Sequence, residues 1–155
     1  MSREIERKFR VQADDWRPLA MSRRSLKQVY LSVTGNCSVR IRIERGVGAW
    51  LTVKSAEHGV TRSEYEYQIP VPDAEEMTAF AVGTVIEKVR HVVPFANLKW
   101  EVDEFLDKNA GLVVAEVELE TEDQDFKIPD WVSEEVTNDH RFYNASLAER
   151  PYTSW

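Results

Sequence analysis

Stretch after stretch of this chain alternates charged and apolar residues with a period of two, the pattern of a strand with one polar and one apolar face. In "EIERKF", Glu4, Glu6 and Lys8 share one face, while Ile5, Arg7 and Phe9 take the other. In "VRIRI", Arg40 and Arg42 lie opposite Val39, Ile41 and Ile43. Lys54 sits with Thr52 in "LTVKS", and Arg62, Glu64, Glu66 and Gln68 line up against Tyr65, Tyr67 and Ile69. Lys88 and Arg90 share a face in "EKVRH", Glu101 and Asp103 in "WEVDEF", and Glu116, Glu118 and Glu120 in "AEVELE". With "QVYLSV" (Gln28–Val33) this makes about eight candidate strands, enough to close a barrel. "TGN", "GVG" and "EHG" supply turn chemistry between successive strands.

One such strand is explained by a sheet with a solvated face. The set is harder to explain that way, because the charges segregate by strand, basic pairs on some and carboxylate sets on others. Like charges two residues apart repel, and an ordinary surface gains by mixing signs. Closing eight such strands turns the basic faces toward the acidic ones around a polar cavity. Burying unpaired charge costs several kcal/mol per ion, so the cavity calls for a ligand. A phosphate chain suits the guanidinium and ammonium groups, and a hard divalent cation such as magnesium or manganese suits the paired glutamates.

The expected class is α+β, mainly β: an antiparallel eight-stranded barrel with short helices covering the outside. Helices are expected at "PDAEEMTAFAVG", with Asp73 as N-cap and Gly83 as stop, and at "PDWVSEEV" (129–136) and "DHRFYNASLAE" (139–149). A turn or short helix is expected around 13–21, limited by Pro18. One domain over 1–155 suits the length, and no linker or repeat divides it. No apolar run approaches the ~20 residues that span a bilayer. The charged, strand-like start predicts no secretory signal. A net charge of −7 argues against nucleic-acid or acidic-membrane partners. Cys37 is the only cysteine and reads as a packing residue, consistent with a reducing cytoplasm. His58, His91 and His140 have no zinc-ligand spacing, and His58 is expected in a solvated turn. No serine sits in a nucleophile elbow, and Gly46–Gly48 is too short for a phosphate loop. Trp50, Trp100 and Trp131 read as core or cover.

The ExExK string Glu4, Glu6, Lys8, followed in order by "VYL", "VRIR", "LTVKS", "RSEYEYQIP", "EKVRH", "WEVDEF", "AEVELE" and "VTNDHRFYNASLA", resembles the CYTH superfamily of triphosphate tunnel metalloenzymes along essentially the whole chain. The layout is most similar to its small single-domain bacterial members of the inorganic tripolyphosphatase type. The resemblance implies a barrel tunnel that binds a linear triphosphate and needs Mg2+ or Mn2+. It implies Glu4, Glu6, Glu116 and Glu118 as metal carboxylates, with Asp103 supporting the metal or its waters. It implies Lys8, Arg40, Arg42, Lys54, Arg62, Lys88 and Arg90 as the phosphate grip, and Arg141 as a clamp from the C-terminal segment. Lys8, Lys88 and Arg90 are the expected catalytic cations, either Lys88 or Arg90 assisting the leaving group. Glu64, Glu66 and Glu120 are left to balance charge, and Phe142 and Tyr143 receive no role. The implied reaction is hydrolysis of tripolyphosphate to pyrophosphate and phosphate. Adenylyl cyclase, thiamine triphosphatase and a non-catalytic polyphosphate- or nucleotide-binding module stand as alternatives. The oligomeric state is left open, a homodimer included.

Overall fold

The computed structural model describes residues 2–56 and 60–155, so the "EHG" turn and His58 lie outside the described residues. The strands are β1 (Ser2–Val11), β2 (Ser22–Val33), β3 (Cys37–Glu44), β4 (Gly48–Ser55), β5 (Thr61–Ile69), β6 (Val82–Phe95), β7 (Leu98–Phe105), β8 (Val113–Glu118) and β9 (Val132–Glu135). They form one antiparallel sheet in the order β5-β4-β3-β2-β6-β7-β8-β1, which closes because β1 also pairs with β5. The eight-stranded barrel read from the alternation is therefore the fold. The ninth strand continues along β1, opposite Phe9 and Val11.

The apolar faces point outward and are packed under short covering segments. Val29, Ile41, Ile43 and Ala49 are buried beneath helix α1 (Val71–Met77), which contributes Ala74 and Met77. Phe9, Trp100 and Val117 are buried with Trp16, from the segment after β1, and with Trp131. Trp16 and Trp100 are fully buried; complete burial of a large apolar side chain contributes about 1.5–3 kcal/mol. The C-terminal helix α2 (Asn144–Glu149) lays Leu147 and Ala148 on Tyr30, Ile86 and Leu112. The hydrophobic core thus lies outside the barrel wall, leaving the interior to the charges.

Three local expectations are corrected. "PDWVSEEV" is not helical: β1 offers a free edge there, and Val132 pairs with Val11 while Trp131 is buried against Trp100. Asp73 is not the N-cap of α1; Pro70 is, and Asp73 lies in the first turn, where its charge favours the helix dipole. Gly83 does not stop that helix, which ends at Met77. Instead Gly83 lies in β6 at φ 77°, where a Cβ would sit 2.5 Å from the Ala148 carbonyl oxygen. Only glycine lets α2 dock so closely. Around 13–21 the chain makes a 3-10 turn at Arg17–Leu19. The "DHRFYNASLAE" segment divides into a 3-10 turn, His140–Phe142, and α2.

Candidate active site

The barrel encloses a cavity of about 300 Å³, the lower end of the ~300–1,000 Å³ typical of small-molecule sites. Eight Lys or Arg side chains and eight Glu side chains line it. The register sets their contacts. Lys8 stands opposite Glu116 across β1–β8, and Lys54 opposite Glu64 across β4–β5. Arg90 stands opposite Asp103 across β6–β7. Among the described residues three cross-strand pairs lining the cavity are of like charge, Glu6 with Glu118, Glu101 with Glu116 and Arg24 with Arg90. Such pairs destabilise a sheet, and a wall selected for stability alone would avoid them.

The cations divide into two kinds. Lys88 and Arg90 are held by the fully buried Asp103: Lys88 Nζ is 2.7 Å from Oδ2, and Arg90 grips both carboxylate oxygens at 2.8 and 2.9 Å. Lys54 lies between Glu4 (3.0 Å) and Glu64 (3.4 Å), and Lys8 is 3.6 Å from Glu116. Arg40, Arg42 and Arg62 are far less engaged. Arg40 is buried with one long bond to Thr52 Oγ1, 3.4 Å, and its Nε has no partner. Arg42 reaches Glu66 only at 3.4 Å, and its Nε is likewise buried without a partner. Arg62 makes no ion pair among the described residues and lies 4.5 Å from the Tyr143 ring centroid. A buried guanidinium N–H without an acceptor is costly, so Arg40 and Arg42 want an anion, and Arg62, with no ion pair among the described residues, can join them.

The carboxylates are crowded in turn. Burial, then the charges of Glu116 and Glu4, push the Glu6 carboxyl well above the usual range. A hydrogen bond to Glu4, together with burial, raises Glu64 to about 7. Glu4 goes the other way: burial opposes its charge, but Lys54 and hydrogen bonds from Glu64 and Glu6 hold its pKa far below normal. Burial and Glu4 also raise Glu118; burial opposes the charge of Glu116 too, but Lys8, Arg90 and Lys88 together lower it. Glu4, Glu6 and Glu64 therefore share protons around one anionic oxygen set. Hard oxygens that hold protons at neutral pH are a donor set suited to a divalent cation. Among the described residues, no three His, Cys, Asp or Glu groups are already gathered in a metal-holding geometry; Glu4 and Glu116 are turned toward their lysines.

Two expected site residues fall elsewhere. Arg141 does not reach the cavity: it is exposed, ion-paired with Asp139 at 2.7 Å and stacked near Trp155. Asp139 caps the 3-10 turn by accepting from the Arg141 backbone N–H, which aims the side chain outward. Asp103 has its oxygens taken by Lys88 and Arg90, which leaves it a clamp for cations. Several lining residues had no assigned role in the sequence reading: Arg24, Glu44 and Glu101 on the wall, and Tyr143 and Asn144 from the C-terminal segment. Arg24 lies 3.0 Å from the buried Glu44 and reaches Glu101 at 4.0 Å. Glu64 and Glu66 also line the cavity, whereas Glu120 does not. Their alternation with neighbouring residues was the available signal on the strands; for Tyr143 and Asn144 there was none. His91 lies outside, edge-on to Trp16.

A closed antiparallel barrel with apolar packing outside and opposed basic and acidic faces inside defines one family, and the chain belongs to it: the CYTH domain model matches residues 2–152. Within that family, the chain is 44% identical over 156 residues to the inorganic triphosphatase of Acetivibrio thermocellus, covering 100% of this chain and 99% of that protein. It is 38% identical over 151 residues to the inorganic triphosphatase of Nitrosomonas europaea, covering 94% and 96%. A solved structure of an inorganic triphosphatase superposes with a TM-score of 0.68 at 35% identity, over 96% of this chain and 95% of that one. No helix among the described residues is long and apolar enough to cross a membrane.

Proposed function

We propose that this protein is a divalent-metal-dependent triphosphatase that hydrolyses inorganic tripolyphosphate to pyrophosphate and phosphate. The observation that carries the reading is the set of under-partnered arginines, Arg40, Arg42 and Arg62, sharing one cavity with a proton-sharing glutamate cluster. The full-length relatives are named for the same activity. A cavity of about 300 Å³ suits a compact inorganic chain.

Arg40, Arg42 and Arg62 bind the phosphate oxygens, and Lys8 and Lys54 add charge once their glutamates engage a cation. Glu4, Glu6, Glu116 and Glu118 would hold Mg2+ or Mn2+, which supplies neutralisation of phosphate charge and activation of water. Water adds to a terminal phosphorus while the bridging P–O bond breaks, its electron pair leaving on the pyrophosphate oxygen. Arg90 is kept cationic by Asp103, its pKa well above the ordinary value despite burial, so it stabilises the leaving charge without giving up a proton. Lys88 differs: burial, aided by Arg90, lowers it to about 8 against the pull of Asp103. Of the two, Lys88 is suited to pass a proton to the departing oxygen. The lone Cys37 is unpaired, in keeping with a reducing cytoplasm.

The test is phosphate release from tripolyphosphate, ATP and thiamine triphosphate, each with magnesium, with manganese and with chelator. The expected result is fastest release from tripolyphosphate, abolished by chelation. Absence of release from tripolyphosphate with either metal would overturn the assignment.

A further inference from the structure

The C-terminal segment sends one polar side chain to the cation best placed to move a proton. Lys88 Nζ lies 2.7 Å from Asp103 Oδ2 and 3.0 Å from Asn144 Oδ1, and Lys88 itself is fully buried. An ammonium has three N–H donors and no acceptor. Two are therefore spent on Asp103 and Asn144, and one remains for the cavity that Lys88 and Asn144 both line. The orientation of the Asn144 amide is forced, because only its oxygen can face an ammonium. The buried Gln28 of β2 strengthens that choice, its Nε2 donating to the same oxygen at 3.4 Å.

We infer that Asn144 is a positioning residue for hydrolysis, fixing which Lys88 N–H faces the substrate. The inference rests on the triphosphatase reading and on Lys88 as the proton-bearing group. Asn144 touches Lys88 rather than reacting atoms. With Asn144 oxygen removed, the ammonium keeps its charge and its Asp103 contact but can rotate about the remaining bond. Binding of phosphate by the arginines is untouched, while alignment of the Lys88 proton with the leaving oxygen is lost. The same contact couples the docking of α2, held by Gly83 against Ala148, to chemistry inside the barrel.

The experiment compares Asn144→Leu, which removes the acceptor, with Asn144→Asp, which keeps an oxygen at the same place for Lys88 and Gln28. Steady-state hydrolysis of tripolyphosphate with magnesium is measured for both and for the unmodified protein, with thermal unfolding as a check on folding. Asn144→Leu is expected to lower kcat about 10- to 100-fold, part of the ~10²–10⁴ a positioned proton donor contributes, with KM nearly unchanged. Asn144→Asp is expected to restore most of kcat. If Asn144→Leu keeps the full kcat, or loses KM in proportion, the positioning role is wrong. Should Asn144→Leu fail to fold, a folded Asn144→Asp with kcat as low as that of Lys88→Ala would overturn the inference just as well. An unmodified protein inactive on tripolyphosphate sinks the function itself, a separate outcome.

Discussion

Replacing Asp103 with Asn tests the charge arrangement most directly. Asp103, Lys88 and Arg90 form a buried triad in which one carboxylate serves two cations at 2.7, 2.8 and 2.9 Å. Removing its charge leaves two cations side by side on the inner face of β6 without the carboxylate that bridges them. Breaking a buried ion pair by losing one partner costs about 3–5 kcal/mol. For a chain of this size, 1 kcal/mol moves Tm by about 2–4 °C, so Asp103→Asn should melt about 6–20 °C lower at pH 7. The pH dependence sharpens the test. The native pKa of Lys88 lies at about 8, below its unfolded value. Between those values the unfolded chain binds more protons, so this lysine makes stability rise with pH, and its contribution falls away as pH drops toward 8. Without Asp103 the Lys88 pKa drops further, and the window of rising stability extends below 8. The Tm deficit should therefore shrink from pH 6 to pH 9. Asp103 has the reverse native context: Arg90 and Lys88 outweigh burial and hold its pKa low. Its own contribution persists at neutral pH and is lost as pH falls below the unfolded aspartate range. Circular-dichroism melts of both proteins across pH 6–9 give the answer. A variant within 2 °C of the unmodified protein at pH 7 would refute the buried triad.

Three further outcomes follow from the same interior. Tripolyphosphate with magnesium at 100 times its dissociation constant should stabilise an inactive, binding-competent Lys88→Ala variant by about 2.7 kcal/mol; an unshifted melt at saturation would mean the charged faces look out to water. Calorimetric titration of that variant should show Arg40→Ala and Arg42→Ala weakening tripolyphosphate binding by about 1.5–3 kcal/mol, the worth of charged hydrogen bonds. Arg7→Ala and Arg141→Ala should bind normally, since these residues pair outside with Glu135 and Asp139; equal losses for all four would overturn the division of faces. Because Glu6 is raised well above the ordinary value and Glu64 to about 7, magnesium binding should release protons and tighten as pH rises through 7. Titrations in buffers of different ionisation enthalpy measure this, and a proton count of zero would remove these glutamates from the metal's reach.

The barrel was legible because period-two alternation cannot be satisfied by a helix, and its inner lining because parity along a strand assigns each side chain to a face. Arg24 escaped because "SRRSLK" is polar enough to read as loop, yet β2 begins at Ser22 and carries Arg24 on the inner row. β9 escaped because four residues show no usable period; only the free edge of β1 makes it a strand. Parity has no meaning across a 3-10 turn followed by a helix, so the C-terminal segment could not be oriented. The basic residue in "DHRFYN" drew attention, while Tyr143 and Asn144 are the ones that face the cavity. Metal ligation by the glutamates depends on side-chain rearrangement that neither alternation nor spacing encodes.

Placing the apolar packing outside the wall and the charges within subjects the two sides of each strand to different rules of change. An outward residue such as Ile41 or Val117 must keep its volume against a covering segment. An inward residue such as Arg40 or Glu66 faces a cavity and can alter length or shape, provided the local sum of charge is kept. Lineages carrying this barrel can therefore drift toward new phosphorylated compounds by compensating exchanges on the inner rows, with no repacking. A single-residue slip along any strand would present both sides to the wrong rule at once, so insertions should be tolerated at hairpins and purged from strands.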